Sequence, residues 1–173
     1  MNDINDIMID IETLATVSDS VILSIAAVKF DRKTGDYIQQ LHVKIKPNQP
    51  ERSIDLGTVR WWLAKPEGSL SQALYGNTCL VDALVYLKDF VGFENVWSQG
   101  SDFDFDILEH AMESFNLKVP WHHTHKRDTR TAYDVCGFDP KSIPRVGTHH
   151  DALDDCRHQI KCVVAALGNR GAA

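Results

Sequence analysis

The chain has 173 residues, of which 43% are apolar and 24% charged, and its formal net charge is −6. That length suits one domain, 1–173, with a sizeable core, and the composition excludes intrinsic disorder, collagen-like repeats and disulfide scaffolds. No apolar run approaches the roughly 20 residues needed to span a bilayer. The start, Met1-Asn2-Asp3-Ile4-Asn5-Asp6, is acidic and unlike a secretory signal. Cys79, Cys136, Cys156 and Cys162 form no CxxC pair, as expected of reduced thiols in a cytoplasmic protein without a membrane partner. The acidic excess argues against nonspecific binding to a polyanion, unless the acids are concentrated where a metal neutralises them.

Ile7, Ile9 and Ile11 alternate with Met8, Asp10 and Glu12, the period of a strand. Val21 to Phe30 is a nearly continuous apolar run suited to a central strand. A turn through Asp31 to Asp36 leads to a third alternating segment, Tyr37 to Ile45. Pro47 and Pro50 end the sheet pattern. Helices follow. Thr58 to Ala64 holds Val59, Trp62 and Leu63 at helical spacing, and Ser69 is placed to cap a second short helix. Leu80 to Val91 is amphipathic. Asn95 to Ser98 reads as a short strand, Phe105 to Phe115 as a helix, and His150 to Leu167 as a last helix. This order implies an α/β fold: a three-stranded antiparallel meander joined by short strands and flanked by helices.

Three acidic segments carry the chemistry. In Asp10-Ile11-Glu12-Thr13 both carboxylates project from one face of a strand, which is costly without a cation between them. About 0.6 Asp-x-Glu matches are expected by chance, so a solvated strand face is the competing reading. In Gly100-Ser101-Asp102-Phe103-Asp104-Phe105-Asp106 the helix phase discriminates. Asp104 shares the buried face of Ile107, Leu108 and Ala111, Asp106 falls on a solvated stripe, and Asp102 sits where an N-cap belongs. In His149-His150-Asp151-Ala152-Leu153-Asp154-Asp155, Asp151 and Asp154 suit a helix dipole, whereas Asp155 lies at the edge of the apolar stripe. Asp10, Glu12, Asp104 and Asp155 offer hard oxygen ligands without thiolates, which suits Mg²⁺ or Mn²⁺. Four such acids are able to hold two ions about 4 Å apart, and His150 is then the candidate general base.

At these residues the chain resembles the DEDDh 3′–5′ exonucleases. The three family motifs are matched by Asp10-Ile11-Glu12-Thr13, by Gly100-Ser101-Asp102-Phe103-Asp104 and by His150-Asp151-Ala152-Leu153-Asp154-Asp155. Only about 0.06 chance matches to the third are expected in this composition. The segments Trp97-Ser98-Gln99-Gly100, Arg127-Asp128-Thr129-Arg130-Thr131 and Thr58-Val59-Arg60-Trp61-Trp62 bring it nearest to the phage exonuclease-A branch and its bacterial relatives. That branch more usually has Gly after the tryptophan, and Gly100 replaces the asparagine of the proofreading subunits.

The resemblance implies an RNase H-like fold with a central mixed sheet. It also implies hydrolysis from single-stranded 3′ ends, DNA before RNA, with release of nucleoside 5′-monophosphates. The catalytic set becomes Asp10, Glu12, Asp104, Asp155 and His150, with two Mg²⁺ or Mn²⁺ ions on the four acids. Thr13 and Leu14 are expected at the 3′-terminal nucleotide, and Trp61, Trp62 and Phe103 are further substrate-binding candidates. Adjacent on a helix, the two tryptophans cannot both face the core. Arg127, Arg130, Arg145 and Arg157 are candidates for phosphates, with pairing to acids on their own helices as the alternative for Arg130 and Arg157. Pro120-Trp121-His122-His123-Thr124-His125 reads as a structural loop rather than a zinc site. Relatives often pair as homodimers, and a phage-encoded member works in host cytoplasm. Two bound divalent ions would bring the formal −6 to about −2.

Overall fold

A computed structural model describes residues 5–66 and 69–168; the first four residues of the acidic start lie outside them. Strands β1 (Asn5–Thr13), β2 (Ile22–Asp31) and β3 (Tyr37–Lys44) form the expected antiparallel meander. Helices α1 (Leu56–Leu63), α2 (Ser69–Leu74) and α3 (Leu80–Phe90) follow, then strand β4 (Asn95–Ser98) and helix α4 (Ser101–Ser114). A three-residue strand β5 (Lys126–Asp128), helix α5 (Thr129–Cys136) and helix α6 (Ala152–Gly168) complete the chain. The sheet order is β3-β2-β1-β4-β5, with β4 parallel to β1 and β5 parallel to β4. This is the mixed sheet expected of an RNase H-like exonuclease fold.

The period-two alternation of β1 divides the core. Ile7, Ile9 and Ile11 pack with Ile25 and Ala27 of β2 against Leu84, Leu87, Phe105, Leu108 and Met112 of α3 and α4. Met8 packs with Ala26, Val28 and Phe30 against Tyr133 of α5 and Cys156, Ile160 and Val163 of α6. Helices therefore cover both sheet faces. Because residues two apart share a face, Asp6, Asp10 and Glu12 lie on the α6 side with Met8. A smaller cluster of Leu14, Val21, Leu23 and Trp62 seats α1 on the end of the meander.

Several boundaries differ from expectation. Helix α4 starts at Ser101, so Asp102 is in its first turn and Gly100 is the N-cap, in a left-handed conformation (φ 100°). Asp128 supplies the acceptor that a capping side chain would have given: its Oδ2 accepts from Gly100 N and Ser101 N, both at 2.9 Å. Helix α6 starts at Ala152 rather than His150, because His150 is left-handed (φ 66°) and cannot belong to the helix. Ser69 lies within α2, its hydroxyl donating to Pro66 O. Strand β5 was not expected, and α5 was expected only as a helix carrying Arg130, without bounds. Among the described residues no helix is long and apolar enough to cross a membrane.

Candidate active site

In an open sheet, ligands bind beyond the carboxyl ends of the parallel strands, and the acidic motifs lie there. Strand β1 delivers Asp10 and Glu12, the first turn of α4 after β4 delivers Asp104, and the start of α6 delivers Asp155. Just after Glu12 the pairing with β2 shifts register, so Glu12 faces Ser24 but Thr13 faces Ile22. Such irregularities re-aim side chains beside functional sites. Asp104 is 3% exposed, and its Oδ1 accepts from Ile11 N at 3.1 Å, which ties α4 to the carboxyl end of β1. Asp10 Oδ1 accepts from Gln159 Nε2 at 2.8 Å. Asp155 pairs with Arg145.

The four carboxylates act on one another. Burial, then Asp104, Glu12 and Asp155, push the Asp10 carboxyl well above the usual range. Burial, Asp155 and Asp104 push Glu12 up to about 8. Burial raises Asp104 to about 7, against the opposing hydrogen bond from Ile11. Carboxyls in this condition are neutral at physiological pH or compensated by a cation. Glu12, His150 and Asp155 also carry donor atoms that all lie within 4.8 Å of one another. The residues present therefore fit a divalent cation by geometry, by hard-donor chemistry and by unrelieved like charge.

His150 sits where the left-handed turn meets α6. Its ring packs 4.5 Å from Trp61 and 4.0 Å from His149, centroid to centroid. Burial, followed by His149, Lys65 and Arg145, lowers its pKa to about 4, so the ring is unprotonated at neutral pH.

A hollow of about 440 Å³ opens beside Glu12, lined by Thr13, Thr16, Trp61, Trp62 and Phe103 among others. The two tryptophans divide as their helical positions require. Trp62 is 1% exposed and its Nε1 donates to Thr13 O at 2.9 Å, whereas Trp61 is 42% exposed, with Lys65 Nζ 3.8 Å from its ring centroid. Leu14, 5% exposed, packs in the core beside Trp62 and does not line this hollow.

The arginines divide too. Arg157 pairs with Asp154 on its own helix, Arg127 donates to Thr124 O and Lys126 O, and Arg145 holds Asp155. His123–His125 form a single 3-10 turn capped by His122. Sequence reasoning missed Gln159, although its spacing from Asp155 put it on the same helix face. It also missed Lys65, whose charge reaches both Glu12 and His150.

Comparison with known proteins gives the family and the fold. A family model described as the 3′–5′ exoribonuclease Rv2179c-like domain matches residues 5–167. The exodeoxyribonuclease of Enterobacteria phage T4 is 24% identical, over 94% of this chain and 88% of its own. Among solved structures, the nuclease domain of 3′hExo, a DEDDh family member bound to rAMP, superposes with a TM-score of 0.69 at 12% identity, over 97% of this chain and 94% of that one. E. coli exonuclease I in complex with a dA16 oligonucleotide gives 0.71 at 14% identity, over 97% of this chain but only 41% of exonuclease I.

Proposed function

The chain belongs to the 3′–5′ exoribonuclease Rv2179c-like domain family and is a 3′–5′ exonuclease, and from that premise we propose that it trims single-stranded DNA from the 3′ end, releasing nucleoside 5′-monophosphates. The observation that carries the reading is the convergence of Asp10, Glu12, Asp104 and Asp155 beside an unprotonated His150. In this reading the four acids hold two divalent ions, Mg²⁺ or Mn²⁺. When bound, such ions neutralise the acids and supply Lewis-acid stabilisation to a phosphodiester undergoing in-line displacement.

The remaining roles fall to the chain's own side chains. His150 accepts the proton of the attacking water at a ring nitrogen, a role its low pKa and its place at the mouth of the site allow. Trp61 offers a ring face to the terminal base. Phe103 and Thr13 bound the hollow beside it. Trp62 holds Thr13 in place through its indole N–H. Asp104 fixes the carboxyl end of β1 through Ile11, and Gln159 orients Asp10.

The DNA preference draws support from the phage relative, named an exodeoxyribonuclease, and from the oligonucleotide complex of exonuclease I. Trimming of RNA is the second reading, favoured by the family's own description; contacts to the 2′-OH decide between them. The test uses 5′-labelled and 3′-labelled DNA and RNA oligomers, single- and double-stranded, with Mg²⁺, Mn²⁺ or EDTA. The expected result is a descending ladder from the 5′ label, immediate mononucleotide from the 3′ label, and silence in EDTA. Full activity in EDTA would overturn the two-ion reading. A faster rate on RNA would reverse the sugar preference.

A further inference from the structure

Each of the three parallel strands ends at the candidate site, yet only two have a residue assigned there. Strand β1 supplies Asp10 and Glu12, and the α4 start after β4 supplies Asp104. Strand β5 leads at once into α5, whose second residue is Arg130.

Three observations single out this arginine. Its guanidinium makes no hydrogen bond or ion pair among the described residues, although its charge reaches Asp104. Asp128, the acid that ends β5, is already committed: Oδ2 accepts from Gly100 N and Ser101 N, Oδ1 from the amide and hydroxyl of Thr131. The guanidinium lies over Gly100, where a Cβ would come within 2.5 Å of Arg130 Nη1; the φ of 100° is what calls for glycine there. An open hollow of about 660 Å³ surrounds Arg130, Gly100 and Ser101, and shares Thr16 and Phe103 with the hollow beside Glu12. A strand whose scissile phosphate sits at the acids has a continuous path over Phe103 to Arg130.

We propose that Arg130 binds the backbone phosphate next to the scissile one on its 5′ side, making it the residue that recognises a strand rather than a lone nucleotide. The inference rests on the exonuclease reading above. A planar guanidinium suits bidentate contact with a phosphate. In a chain of net charge −6, one unpaired arginine beside the acidic site is also a local counter to repulsion of a polyanion. Contacts of this kind position the backbone without reading sequence.

The experiment compares wild type with Arg130→Ala and Arg130→Lys on three substrates: an all-phosphodiester deoxyoligomer, the same oligomer with one uncharged methylphosphonate at the second linkage from the 3′ end, and the p-nitrophenyl ester of thymidine 5′-monophosphate, which has no upstream phosphate. Wild type should lose roughly tenfold in kcat/KM on the methylphosphonate oligomer, the loss of one charge-assisted contact. Arg130→Ala should show that loss on the normal oligomer and no further loss on the methylphosphonate one, with Arg130→Lys between. All three proteins should hydrolyse the nitrophenyl ester equally. A full methylphosphonate penalty in Arg130→Ala, or an equal loss on the nitrophenyl ester, would overturn the assignment. Oligomer binding in Ca²⁺ provides a readout independent of hydrolysis: Arg130→Ala should lower the slope of log K against log salt by about 0.7. A wild type that binds with that extra slope yet hydrolyses nothing would sink the exonuclease reading and leave the phosphate contact standing. An unchanged slope would sink the contact itself.

Discussion

At the start of β1, Asp6 is fully buried and accepts hydrogen bonds from Arg32 Nε and Nη2 at 2.5 and 2.6 Å, from Trp97 Nε1 at 2.7 Å and from Asn95 Nδ2 at 3.2 Å. Further along the same face of the same strand, Asp10 receives one neutral amide and otherwise meets Asp104, Glu12 and Asp155. The first carboxylate is satisfied by donors that the fold brings to it. The second is left in a group of like charges. Asp6 is the more deeply buried of the two, and Asp10 is half-buried, so depth of burial does not mark the functional acid; the sign of its surroundings does.

Mutations at the two ends should therefore have opposite signatures. Asp10→Asn should cost about 10³-fold or more in hydrolysis, the loss of several kcal/mol of transition-state stabilisation. The same change should raise the melting temperature of the metal-free protein at pH 8, because an amide neither repels the neighbouring acids nor has to take up a proton to avoid doing so. A metal-free Asp10→Asn protein that melts below wild type would break the comparison. Asp6→Asn should leave hydrolysis per folded molecule unchanged while costing about 3 kcal/mol of stability. That is the penalty for removing the buried charge that Arg32 and the buried Trp97 indole bind, and for a chain of this size it lowers the melting temperature by on the order of 10 °C.

The pH dependence of the metal-free protein sharpens the contrast. Glu12 and Asp104 titrate at about 8 and about 7 when folded, but near 4 when unfolded. Between those values the unfolded state binds fewer protons, so stability falls as pH rises, and Asp10, raised by the same burial and the same neighbours, adds to the fall. His150, lowered to about 4, has the opposite sign, but its contribution is complete above about 6.5. Thermal melts in EDTA from pH 6.5 to 8.5 should therefore decline, Mg²⁺ or Mn²⁺ should reverse the decline, and Glu12→Gln should flatten it. A melting temperature that is level across this window would contradict the unrelieved repulsion.

Much of this arrangement was legible in the sequence. The alternation of Ile7, Ile9 and Ile11 puts Asp10 and Glu12 on the opposite face, and helix phase separates buried Asp104 from exposed Asp106. What was hidden depends on contacts across long separations. Strand β5 is Lys126-Arg127-Asp128, without an apolar pattern, and is a strand only because β4 pairs with it. The start of α4 was misplaced because its acceptor, Asp128, comes from a distant segment rather than from the usual capping position. Helix α6 begins late because His150 takes a left-handed turn that no periodicity announces. The role of Arg145 depends on the loop that brings it to Asp155. Gln159 alone carried a usable local signal, as a polar residue on the buried face of α6.

The smallest expected effects concern the paired tryptophans, where the contrast between a satisfied and an unsatisfied side chain recurs. Trp62 is buried and hydrogen-bonded to Thr13 O, while Trp61 presents its ring at the hollow against His150. Trp61→Ala should weaken oligomer binding in Ca²⁺ by about 5- to 150-fold, the range of one base-stacking contact, with little change in melting temperature. Trp62→Phe keeps an aromatic ring but loses the indole donor, leaving a buried carbonyl unpaired. It should cost about 1 kcal/mol of stability and leave oligomer affinity within a factor of about two to three. The reverse pattern, with affinity lost at Trp62 and stability lost at Trp61, would mean that the exposed ring is structural and the buried one reaches the substrate.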